Sequence, residues 1–199
     1  MKILAFSDLH HARARAEALV AASGEADLVI GAGDFCNMRQ GLGEAMNLLG
    51  GIAQPFVTVP GNAESADELR EAAHAGTRVL NGTGTEIEGL RIFGLGYGVP
   101  VTPFGAWSCD LTEMAAAQML SQCASADILV THSPPKGVAD ATSGGISVGS
   151  TAIRDAIERI QPKLVLCGHI HDSWGIEGMI GATRVVNLGP TPNWFEVSP

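Results

Sequence analysis

The sequence predicts an α/β fold in which two β-sheets pack together with helices outside. Three observations predict it. Strand and helix signals alternate over residues 2–74, the pattern of a mostly parallel sheet. Residues 77–95 then carry three short β signals divided by Gly82, Gly84 and Gly89, which calls for hairpin pairing. Finally, five apolar runs end in polar residues suited to a site, and open α/β sheets bind ligands beyond the carboxyl ends of their strands.

The elements follow in order. Residues 2–6 read as a strand, and the Ala-rich stretch 11–22, ending at Gly24, as a helix. Residues 27–31 are a strand, 41–50 a helix, 55–59 a strand and 64–74 a helix. Glu88-Gly89 is the expected turn between Thr85–Ile87 and Leu90–Phe93. Tyr97–Ser108 is a Pro/Gly/aromatic loop. A helix over 110–123 has Asp110 as its expected N-cap, with Glu113 three residues on. A strand over 127–131 leads into a long loop, Pro134–Ser147, and a helix over 150–160 stops before Pro162. Residues 163–167, 183–187 and 194–197 are the last β segments. No internal repeat or linker is evident, so residues 1–199 are expected to form one domain.

Composition narrows the function. Lys+Arg of 12 against Asp+Glu of 21 gives a net charge of −9. That disfavours a nucleic-acid binder, which needs a basic stripe. It leaves a phosphorylated small molecule open, because bound divalent cations invert the local field. Cys36, Cys109, Cys123 and Cys167 form no CxxC and are expected to be free, buried thiols in a reducing compartment. Neither a signal-peptide layout nor an apolar stretch near 18 residues is present, so a cytoplasmic protein is expected.

The polar strand ends carry the chemistry. Asp8-Leu9-His10 places two donors at i, i+2, which can share one ion; Asp8 could equally cap the next helix. Gly33-Asp34 offers a carboxylate able to bridge two cations, or a simple Asx-turn. Asn37 reads as a cap for the next segment. In Gly61-Asn62-Ala63-Glu64 the amide oxygen of Asn62 is a legitimate ligand for a hard cation, while Glu64 suits a helix N-terminus. Thr131-His132 adds an imidazole. Gly168-His169-Ile170-His171 is the strongest local signal, since two imidazoles at i, i+2 after an apolar strand are rarely both core residues.

Together, Asp8, His10, Asp34, Asn62, His132, His169 and His171 resemble the calcineurin-like metallophosphoesterase family. Its pattern runs D-x-H, G-D, G-N-H-[DE], a lone His, then G-H-x-H. The spacings of 26 residues from Asp8 to Asp34 and 28 from Asp34 to Asn62 suit a strand–helix–strand unit each. Thr131–Gly137 and Gly168–Asp172 look like the small cyclic-nucleotide-phosphodiesterase-like branch. The resemblance implies a four-layer sandwich of two mixed sheets flanked by helices. It also implies a site for two divalent ions, among Mn, Fe, Ni and Zn. One ion would take Asp8, His10, Asp34 and His171; the other would take Asp34, Asn62, His132 and His169. The implied reaction is attack on a small or nucleotide phosphodiester by a hydroxide held between the ions, with Asn62 and His169 meeting transition-state charge.

One position departs from the family pattern. Ala63 stands where the family often has a histidine that protonates the leaving oxygen or stabilises the transition state. A methyl group does neither, and general acid catalysis is typically worth ~10²–10⁴ in rate. Poor leaving groups are therefore expected to react slowly. His11, in an expected first helical turn, and His74, at a helix end, are not expected to replace that acid. Phe104 and Trp107 either stack on a nucleobase or pin their loop to the core. Lys136 either meets a second phosphate or is a solvated charge. A non-catalytic scaffold, a phosphomonoesterase and a nuclease are the competing readings.

Overall fold

A computed structural model describes residues 1–198. The strands are β1 (Lys2–Phe6), β2 (Leu28–Gly31), β3 (Phe56–Thr58), β4 (Arg78–Val79), β5 (Thr83–Ile87), β6 (Leu90–Leu95), β7 (Ile128–Thr131), β8 (Leu164–Cys167), β9 (Glu177–Ile180), β10 (Thr183–Asn187) and β11 (Asn193–Glu196). The helices are α1 (Arg13–Ser23), α2 (Leu42–Leu48), α3 (Ala66–Ala72), α4 (Glu113–Leu120) and α5 (Thr151–Ile160). No helix among the described residues is long and apolar enough to cross a membrane.

The strands form two mixed sheets, ordered β11-β1-β2-β3-β4 and β5-β6-β7-β8-β10-β9. Strands β1 to β4 run parallel in the first, as do β6, β7, β8 and β10 in the second. Their central strands are buried on both faces, which is why they read as unbroken apolar runs. Three apolar clusters stack through the molecule. Ile3, Ile30, Val57, Ile92, Val130 and Leu166 fill the space between the sheets. Leu4, Leu19, Met46 and Leu69 join the first sheet to α1, α2 and α3. Leu129, Ala116, Ile153 and Ile157 join the second sheet to α4 and α5. Helix, sheet, sheet and helix therefore make the expected four layers.

Register decides where the polar strand ends fall. Phe6 pairs with Gly31 and Gly31 with Thr58; Leu95 pairs with Thr131 and Val130 with Leu166. The carboxyl ends of both parallel sets thus reach one edge of the sandwich.

Several local expectations are corrected. The N-cap of α4 is Thr112, not Asp110; its hydroxyl accepts from the Ala115 N–H. Asp110 instead accepts from Thr102 N–H and Ser108 Oγ–H in the preceding loop. Glu113 caps a different helix, taking Ser150 Oγ–H and the Thr151 and Ala152 N–H groups at the start of α5. Strand β9 went unforeseen because Glu177-Gly178-Met179-Ile180 is a largely exposed edge with a glycine inside. His11 precedes α1 and faces Glu44 of α2 at 3.2 Å. His74 follows α3 and contacts the Met46 carbonyl oxygen of α2. Lys136 is tied to the Ser147 carbonyl rather than left in solvent. Cys36, Cys123 and Cys167 are buried free thiols, whereas Cys109 is half-buried.

Candidate metal centre

All seven predicted donors gather at the shared edge. Asp8 lies two residues beyond β1, Asp34 three beyond β2 and Asn62 four beyond β3. His132 directly follows β7, while His169 and His171 follow β8. Tight backbone turns bring them inward: Asp8, His10, Asp34 and His169 all adopt positive φ, between 47° and 68°. Such conformations in non-glycine residues cost free energy and cluster at functional sites. A side chain on Gly61 would overlap the Asp34 carboxylate, and one on Gly168 would crowd Asp8. Those glycines are required for close approach of chain to ligand.

Two overlapping groups emerge. Donor atoms of Asp8, His10 and His171 lie within 4.8 Å of one another, and so do those of Asp8, Asp34 and His132. The Asp34 carboxylate spans both sides, with Oδ2 3.6 Å from His10 Nε2 and Oδ1 3.4 Å from His132 Nε2. That is the position a bridging carboxylate needs. Asn62 Oδ1 completes the second side, 3.1 Å from His132 Nε2 and 3.0 Å from His169 Nδ1.

The donor chemistry fits a cation. His132 commits Nδ1–H to the Ala32 carbonyl at 2.8 Å, which turns Nε2, the atom a cation would take in place of a proton, toward the oxygens of Asn62 and Asp34. His10 does the same through the Cys36 carbonyl, and its Nε2 stands 3.1 Å from His171 Nε2. Electron-rich atoms converge at both points with no Lys or Arg paired to either carboxylate among the described residues. Mixed nitrogen and oxygen donors without thiolate suit Mn, Fe, Ni or Zn.

The electrostatics express the same demand for positive charge. Burial opposes the charged form of His132, yet the neighbouring Asp34 carboxylate raises its pKa to about 9. Burial alone would raise Asp34; the charge and hydrogen bond of His132, with His10, hold it below the usual carboxylate range. Burial, reinforced by the His132 charge, lowers His169 to about 3, leaving it a neutral imidazole.

Several supporting residues were not foreseen. Glu64 does not start α3. Ser65 is the N-cap, in a capping box with Glu68, and Glu64 reaches back under the site. Its buried carboxylate accepts from Gly61, Asp34 and Phe35 N–H groups at 2.7, 2.8 and 3.2 Å, stapling two ligand turns together. Burial and the Asp34 charge raise its pKa to about 7. The Ser65-x-x-Glu68 pattern was the available signal that the helix begins two residues later, at Ala66. Trp174 donates its indole N–H to Asp8 Oδ2 at 2.9 Å and lays its ring 4.4 Å from His171. Asn187 Nδ2 holds the Gly168 and Ile170 carbonyls. Ser108 Oγ accepts from Asn62 Nδ2 at 3.0 Å, which fixes the amide with its oxygen inward. Asn37 caps nothing; its amide holds the His10 carbonyl.

A two-sheet sandwich with hard donors at its strand ends defines a class of metal-dependent hydrolases. The chain belongs to the calcineurin-like phosphoesterase superfamily, whose domain matches residues 1–198. It is 32% identical over 121 residues to human metallophosphoesterase domain-containing protein 1, a match spanning 57% of this chain and 35% of that protein. The chain therefore corresponds to about a third of that relative's length. Among solved structures it is similar to TT1561 of Thermus thermophilus, with a TM-score of 0.75, 21% identity, and coverage of 94% of this chain and 88% of that one. A dimetal phosphatase from Danio rerio shares the fold with a TM-score of 0.63 and 11% identity over 96% of this chain and 88% of its own.

Proposed function

We propose that the protein is a phosphodiesterase that acts on a small organic phosphodiester with two divalent metal ions. Asp8, His10, Asp34 and His171 hold one ion; Asp34, Asn62, His132 and His169 hold the other. The observation that carries the reading is the convergence of all seven donors, with the Asp34 carboxylate facing both groups. When bound, the ions neutralise phosphoryl charge and lower the pKa of water. The chain's own contribution is positioning. Asn62 and His169 stand at the cavity wall, where they meet phosphoryl oxygens. Backbone N–H groups fix both carboxylates: His169 donates to Asp8 and Ala63 to Asp34.

Ala63 supports a diester with an acidic leaving alcohol over a monoester of an ordinary alcohol. It is 2% exposed, and its methyl holds no proton to give. A nuclease is disfavoured, since no Lys or Arg is among the residues lining the cavity at the metal centre. The free thiols fit a reducing, cytoplasmic setting.

Chelated protein should regain aryl phosphodiester turnover when Mn, Ni, Zn or Mg is restored, and should handle an aryl phosphomonoester less well. Two ions bound per chain with no turnover under any metal would instead favour a scaffold. Replacing the methyl is a sharper test. Ala63→His should raise kcat/KM for alkyl esters by about tenfold or more while aryl esters change little. Equal gains for both would sink the missing-acid argument.

A further inference from the structure

Beside the metal centre lies a second cavity that the proposed chemistry does not use. The first encloses about 350 Å³ and the second about 370 Å³. They share Phe104, Thr142, His169 and Ile170, so they are two ends of one cleft. Each is of the size that seats a small organic group.

Their linings differ in kind. The far end is walled by Val99, Val101, Pro103, Phe104, Val148 and Ile170, with polar contact only from threonines and the edge of His169. Phe104 and Val101 are 50% and 59% exposed, so neither is held there by the core. Phe104 stacks on Trp107 at 5.7 Å between centroids and turns an edge toward His169 at 6.3 Å. The aromatic pair therefore does not pin its loop to the core. Other residues do that. Asp110 accepts from Thr102 N–H and from Thr102 and Ser108 hydroxyls on one side of the cleft. Asp140 accepts from Gly137 and Gly149 N–H groups on the other, and Asp172 accepts from Ser143 N–H. Both walls are braced before any ligand arrives, which lowers the ordering cost of binding.

We propose that this apolar end is the subsite for the organic group of the ester, and that it selects an uncharged apolar group, aryl or branched alkyl, carried on a single phosphoryl group. The inference rests on the phosphodiesterase reading for placing the phosphoryl group at the metal centre. A second phosphate finds no cation, because neither cavity is lined by Lys or Arg. A nucleobase finds too few polar partners for its hydrogen-bonding edges, which would be left unpaired. An acidic aryl alcohol also suits a site that offers no imidazole at Ala63.

Binding of non-hydrolysable phosphonates to Mn-loaded protein tests the subsite by calorimetry, because each carries one organic group and one phosphoryl group. Phenylphosphonate should bind about tenfold more tightly than methylphosphonate, the ratio for burying on the order of 60 Å² of apolar surface. Val101→Asp and Phe104→Ala, both at exposed positions, should each cut that ratio below about threefold. Equal affinities for the two phosphonates, or a ratio untouched by both variants, would overturn the subsite while leaving the phosphodiesterase intact. Tighter binding of AMP than of phenylphosphonate would overturn the apolar class. Failure of every phosphonate to bind, together with no metal-dependent turnover, would overturn both readings.

Discussion

The two ends of the parallel strands treat their carboxylates differently. At the amino end of β7, Asp127 is clamped by Arg91 Nε at 2.9 Å and Lys163 Nζ at 3.2 Å. At the carboxyl ends, Asp8 and Asp34 are equally removed from solvent, yet their charged or polar neighbours are imidazoles, hydroxyls, an indole and N–H groups. Burying a carboxylate without a compensating charge is costly, and natural chains resolve it by pairing or by coordination. One end of the sandwich is neutralised by the chain's own cations. The other has no Lys or Arg beside its carboxylates, only imidazoles whose Nε2 atoms face them, and His132 gains its positive charge from Asp34; an ion from outside would supply that charge instead.

The largest test of that contrast removes the shared carboxylate. Asp34→Ala should lower turnover by about 10³-fold or more, because metal-derived charge stabilisation of several kcal/mol is lost. It should also remove the response of stability to metal. For the wild type at a metal concentration of 100 times Kd, chelation should withdraw ~2.7 kcal/mol and drop Tm by about 5–10 °C. The variant should melt alike with and without chelator, and hold fewer ions by elemental analysis. A variant still holding two ions and still sensitive to chelator would break the bridging assignment.

The donors were legible in sequence because each interrupts a pattern. A Val- and Leu-rich strand has no packing reason to end in Asp, Asn or His, so Asp34 or His169 announces itself. The sheets were legible for a related reason: two-sided burial writes unbroken apolar runs such as Leu28–Ile30. What supports the donors was less visible, since hydrogen bonds between distant segments leave no local period. Trp174 bonds Asp8 across 166 residues, and Glu113 caps a helix that begins 38 residues later. Glu64 was misplaced because an acid before a helix has a plausible local job, and its true partners belong to another turn. Edge strand β9 lacked the burial that would have given it a pattern.

A smaller effect separates holding a ligand from being one. Trp174→Phe keeps a ring against His171 but removes the N–H that Asp8 Oδ2 accepts. Groups that orient metal ligands typically change affinity by ~10–100-fold when mutated. Weaker metal binding is therefore expected in a competition titration, with turnover recovered at saturating metal. An unchanged affinity would mean that Ser7 Oγ–H and His169 N–H alone fix Asp8, and the support on this side would be redundant.

The smallest effect belongs to the opposite end, and it should be indifferent to metal. Arg91 beside Asp127, with Lys163, holds that carboxyl well below its usual range despite burial. A carboxyl whose pKa is depressed by folding adds stability that is fully present above its unfolded pKa of ~3.9. That stability fades as pH falls toward the folded value. Both cations are about half exposed, so water and salt screen the pair. Asp127→Asn should then cost about 1 kcal/mol in urea denaturation at pH 7. The cost should shrink below about pH 4 and in 1 M salt, while metal content and turnover stay as in the wild type. A cost that ignores pH would assign Asp127 a packing role. A cost that changes with metal would connect the two ends of the sandwich and remove the distinction between them.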